Sequence, residues 1–148
     1  MDSKEYSHTQ LGWLTLILVV AGIVAMLLVA FFTKELPAIA FAVLIILVFS
    51  LASFTTLTVT GNSNALLISF GPGLVRKTFP FREIASCRVV TNPWYFGWGV
   101  RIIPGGWLFN VSGFRAAELQ MRNGRVYRIG SDEPEKLESF LKEKLTLI

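Results

Sequence analysis

Residues 11–57 constrain this chain more than any other stretch. Two apolar runs, 11–32 and 38–57, contain no charged residue and are joined by a short polar elbow, Thr33-Lys34-Glu35-Leu36-Pro37. A helix of ~20 apolar residues crosses a hydrocarbon core of about 30 Å, so each run has the length of a span. The pattern predicts a membrane α-helical hairpin with both chain ends on one side. Residues 1–10 read as a polar N-terminal tail, 11–57 as the two-helix transmembrane hairpin, and 58–148 as a soluble domain. Ala38-Ile39-Ala40 has the small-x-small look of a signal-cleavage site. However, the first run exceeds a signal core in length and apolar sequence continues past Ala40, so two retained helices are expected. Pro37 suits the first turn of the second helix, where its missing N–H costs nothing. Ala21 and Ala25, and Ala38 and Ala42, have the spacing that lets helices approach closely.

Charge orients the hairpin. From Thr58 onward 12 Lys and Arg stand against 7 Asp and Glu, an excess of five positive charges. The elbow's Lys34 and Glu35 cancel, whereas Lys4, Arg76 and Lys77 fall on the other side. The positive-inside bias then places both termini in the cytoplasm of a multi-pass protein of the cell membrane. The single cysteine, Cys87, allows no internal disulfide, fits a reducing compartment and excludes a cysteine-ligated zinc site.

After the hairpin the period changes from helical to alternating. Thr58-Val59-Thr60 runs into a turn cluster, Gly61-Asn62-Ser63-Asn64; Leu66, Ile68 and Phe70 alternate before Gly71-Pro72-Gly73. Residues 74–79 and 84–91 follow as strands, and 100–103 and 107–112 flank Pro104-Gly105-Gly106 as a hairpin. Near Asn123-Gly124, two registers compete. A two-residue turn pairs Arg122 with Arg125 and mixes the faces. A three-residue loop, 122–124, pairs Leu119 with Tyr127, Ala117 with Ile129 and Glu118 with Arg128. Burial selects the second, because a one-residue slip inverts a strand. The last element is an amphipathic helix with the stripe Leu137, Phe140, Leu141 and Leu145; Asp132 and Glu135 suggest a capping box and Pro134 lies in the first turn.

Seven or eight short strands followed by one helix is the order of a pleckstrin-homology (PH)-like barrel. Gly97-Trp98-Gly99-Val100-Arg101, Pro104-Gly105-Gly106-Trp107, Asn110-Val111-Ser112-Gly113 and Arg128-Ile129-Gly130-Ser131-Asp132 resemble bacterial small membrane proteins with PH-like domains. Phe79-Pro80-Phe81-Arg82-Glu83-Ile84 resembles the turn into a middle strand of such domains. The resemblance implies a mainly-β PH-like barrel with a C-terminal helix. It carries little about activity, because fold does not fix function. An OB-fold on a hairpin anchor is the rival architecture.

Residues that carry chemistry are sparse. His8 sits in the polar tail and reads as solvated; Cys87 alternates with Ala85 and Val89 and reads as a small core hydrophobe. Glu118 is better explained by Arg128 than by acid–base work. The glycines at 97, 99, 105 and 106 precede no helix and no Gly-Lys-Ser/Thr, so they read as turns and close contacts rather than a phosphate loop. No catalytic, cofactor or metal site is assigned, and no nucleic-acid module is present. Two binding features remain. The aromatic loop Trp94, Tyr95, Phe96 and Trp98 has the composition of a membrane or partner contact. Arg76, Lys77 and Arg82 are candidates for contact with an anionic surface. The chain therefore reads as a non-catalytic, membrane-anchored binding or scaffold module. Its partners are the membrane and a second membrane protein or a second copy of itself. The alternatives are a peripheral anionic-lipid sensor and, less favoured, a membrane enzyme.

Overall fold

The computed structural model describes residues 6–34 and 38–147. The expected position of Pro37 in a helical first turn lies outside them. The described elements are β1 (Tyr6–Leu11), α1 (Trp13–Thr33), α2 (Ala38–Phe54), β2 (Thr56–Gly61), β3 (Ala65–Phe70), β4 (Val75–Pro80), β5 (Ile84–Thr91), β6 (Gly99–Ile103), β7 (Gly106–Asn110), β8 (Arg115–Met121), β9 (Val126–Gly130) and α3 (Pro134–Thr146). Single turns of 3-10 helix occupy Phe81–Glu83 and Trp94–Phe96.

The expected polar tail is a strand. Tyr6–Leu11 pairs antiparallel with β2 over its whole length, from Tyr6 opposite Gly61 to Leu11 opposite Thr56. Its inward residues are Tyr6, His8 and Gln10, alternating with exposed Ser7, Thr9 and Leu11. A polar inward face carries no hydrophobic period, so the alternation is silent in sequence. The Gln10 amide nitrogen donates to the Ser112 carbonyl at 3.1 Å. Strand structure therefore begins before the helices and resumes at Thr56.

Nor do the strands close into a barrel. They form two sheets, one of order β1-β2-β3-β4 and one of order β5-β8-β9-β7-β6. The second is not a simple meander, because β7 runs parallel to β9 while its other pairs are antiparallel. That parallel pair brings Gly106 against Val126, where an added Cβ would lie 1.6 Å from the Val126 carbonyl oxygen. β4 and β6 are left as edges of their respective sheets.

The core lies between the sheets. Leu66, Ile68 and Phe70 of β3 face Leu119, Ile129 and Phe109 of the second sheet, all within one cluster. Burying each such side chain contributes roughly 1.5–3 kcal/mol. α3 covers one side, with Leu137 and Leu141 fully buried and Phe140 stacked on Tyr6 at 5.2 Å between ring centroids. Its expected capping box does not form. The Ser131 hydroxyl oxygen accepts the Glu133 N–H at 3.0 Å, and Asp132 turns instead to His8, with 2.5 Å between its carboxylate and Nε2. His8 is thus tied to the domain rather than solvated. The three-residue loop is observed: Leu119 opposes Tyr127, Glu118 opposes Arg128, and Gly124 has φ +86°. Cys87 is buried, but an irregularity between Ile84 and Ser86 leaves Ala85 exposed rather than on the cysteine's face.

α1 and α2 pack side by side, with Gly22 against Leu47. Trp13–Thr33 is the one helix among the described residues long and apolar enough to cross a membrane; Ala38–Phe54 is apolar but has 17 residues. Two glycine positions separate by mechanism. Gly124→Val should cost about 1 kcal/mol or more through its left-handed backbone alone, because nothing crowds its Cβ. Gly106→Ala should cost distinctly more, since the β7–β9 pair must move apart. Urea unfolding of both variants in the same detergent checks the ranking.

Candidate functional site

The helices join the sheet without a linker. The Gly12 N–H donates to the Thr55 carbonyl at 2.6 Å, so the β1–β2 ladder runs straight into the bases of α1 and α2. The β3–β4 turn packs under the end of α2: Gly71 has φ +50°, its N–H donates to the Thr56 carbonyl at 2.9 Å, and a Cβ there would meet the Ala52 carbonyl oxygen at 2.4 Å. Only glycine fits such a close approach.

The aromatic loop lies at this same end. Trp98 lines a groove of about 480 Å³ together with Thr15 of α1 and Phe54 of α2. Its indole N–H donates to the Gly113 carbonyl at 3.2 Å. Trp94 and Tyr95 are 77% and 68% exposed, with their rings edge-to-face at 6.0 Å. Phe96 is half-buried, and the Arg128 guanidinium lies 5.8 Å from its ring centroid. So two of the four aromatics are held by the domain and two project from it.

The basic candidates divide. Arg76 and Lys77 lie on β4, and the Lys77 ammonium sits 5.6 Å from the Tyr127 ring centroid. With Arg125 they line a second groove of about 310 Å³. Arg82 lies at the end of the domain away from the helices, beside Ser63, Asn64 and Pro80. The groove at the helix bases and the one at Arg125 are continuous, since they share Val75 and Val100. Together they form a seam between the edge strands β4 and β6. Its floor is apolar, its rims carry Arg76, Lys77, Arg101 and Arg125, and among the described residues no carboxylate lines it. Sequence reasoning passed over Arg101, Val75, Val100 and Phe54. Only the arrangement of the two sheets brings them together.

The buried carboxylate of the domain is structural. Glu118, 5% exposed, accepts from Arg88 at 2.6 Å and from Arg128 at 2.7 Å, and Arg128 also donates to the Asn92 side-chain oxygen at 3.0 Å. Burial works to raise the Glu118 carboxyl, but hydrogen bonds from Arg128 and Arg88 together outweigh it and hold it below the usual range. Arg88 is the member of this triad that hairpin register alone did not supply; it comes from the β5–β8 pairing, where it stands opposite Glu118. Comparison with protein-family models, with curated proteins and with solved structures finds no match.

A depressed carboxyl stabilises the fold above its unfolded value, and that contribution is lost as pH falls through the folded one. Stability should therefore hold above about pH 5 and decline below about pH 4. Glu118→Gln should flatten that acid limb and cost roughly 2 kcal/mol at neutral pH, because two guanidinium hydrogen bonds weaken. Chemical unfolding across pH 3–7 reads both effects.

Proposed function

We propose that the protein is a membrane-anchored, non-catalytic binding module. In this proposal α1 and α2 cross the bilayer as a hairpin, and a PH-like two-sheet domain is held against its cytoplasmic face. The observation that carries the reading is the linkerless junction. β1 and β2 are hydrogen-bonded to each other and therefore share one side, so a chain that leaves in α1 must return in α2. α2 supplies 17 residues, none of them charged, the short end of what spans a bilayer. Outward-facing Phe31, Phe32 and Ile39 are about three-quarters exposed, which suits lipid rather than water.

The basic excess of the domain and its single reduced cysteine support a cytoplasmic face. Exposed Trp94 and Tyr95 at the helix end have the amphipathic character of headgroup contacts. The polar groups that look most like chemistry are already engaged: Glu118 by two arginines, and His8 by Asp132. A partner protein or a second copy would meet a domain whose orientation to the membrane is fixed.

Topology decides the reading. In a Cys87→Ala background, Ser139→Cys places a thiol on the exposed face of α3. It should resist an impermeant maleimide in whole cells and react once the cells are opened. Labelling from outside would reverse the topology.

A further inference from the structure

The seam between the edge strands β4 and β6 lies away from α3 and is not covered by it. On the opposite side, α3 packs on β5 and β8 and reaches β1 through the Phe140–Tyr6 stack. At β4 and β6 the gap is instead floored by half-buried Val75 and Val100, with the buried Phe109 ring beneath them. We propose that this seam binds one anionic glycerophospholipid drawn from the bilayer that holds the helices; the assignment rests on the anchored reading given above.

Three features select that occupant. First, the seam opens at the helix bases, between Thr15 and Phe54, so an acyl chain passes from the bilayer onto the apolar floor without crossing water. Second, its rims are cationic with no lining carboxylate among the described residues, which selects an anionic headgroup. Arg101 directs its Nε–H to the Trp98 carbonyl at 3.0 Å, and among the described residues it has no ion-pair partner. Third, an added peptide strand is disfavoured. β4 presents Arg76 and Lys77 in succession, the charged edge that blocks strand pairing. The phosphate meets Lys77 and Arg125 beyond the headgroup plane, while the tail lies along Val75 and Val100 toward Phe54.

The full-length chain is reconstituted in vesicles of dioleoyl-phosphatidylcholine with a minor fraction of dioleoyl-phosphatidylglycerol. It is then released in mild detergent and analysed by native mass spectrometry. One phosphatidylglycerol should be retained in preference to phosphatidylcholine. Lys77→Gln with Arg125→Gln should reduce that preference roughly tenfold or more. Arg82→Gln with Arg122→Gln removes the same charge at the far end, away from the seam, and should leave the preference intact. Val100→Trp fills the floor without changing charge and should also abolish retention; thermal melts confirm that each variant folds. No preference in the parent chain, or an equal loss in both double variants, overturns the assignment. Alkaline extraction of the same vesicles separates the two readings. A chain that stays in the membrane but shows no preference defeats the seam alone, whereas a chain that is extracted defeats the anchor.

Discussion

The β1–β2 ladder is the interaction on which the rest of the molecule depends. Its six residue pairs tie the segment before the first helix to the segment after the second. Because Gly12 continues the ladder to Thr55, neither helix is free to swivel at its base. The contacts at that junction are backbone to backbone, and they require residues without side chains at Gly12 and Gly71. Fixing the helices in this way fixes what else lies at their end: the β3–β4 turn, the aromatic loop and the mouth of the seam. A flexible linker would have left all three without a defined orientation.

The two sheets solve the edge problem unequally. One pair of edges is masked by α3, whose Leu137 and Leu141 are fully buried while Phe140 and Leu145 pack half-buried against the core. The other pair is protected by charge on β4 rather than by a covering element, which is a recognised way to keep an edge from pairing. The parallel β7–β9 contact produces this asymmetry. It uses β7 and β9 as neighbours and pushes β6 to the outside, where it faces β4 across a gap instead of bonding to it. Glu118, bridged between Arg88 and Arg128, ties β5, β8 and β9 together from beneath.

Much of this was legible in the residues. The apolar runs, the turn at Gly61–Asn64, the strand at β5, the α3 stripe and the Leu119–Tyr127 register follow from periodicity and turn chemistry. The strand β1 was not legible, because its inward face is Tyr6, His8 and Gln10 and its partner lies beyond two helices. The capping box failed because Asp132 had a stronger competitor, His8, that local sequence does not reveal. The barrel failed because strand count says nothing about whether the last edges meet. At the candidate site, the aromatic loop was visible as composition. The seam was not, since Val75, Val100, Phe54 and Arg101 belong to different elements and none is unusual alone.

Inserting the helix pair inside the ladder has a consequence for how the chain assembles. β1 is synthesised first, yet its partner follows only after two helices, with Leu11 and Thr56 forty-five positions apart. An unstructured loop of that length would make closure slow and entropically costly. Two helices packed side by side hold the loop's ends together, so their association supplies the proximity that β1 needs. β1 therefore docks on the open edge of β2 most readily once the helix pair has formed.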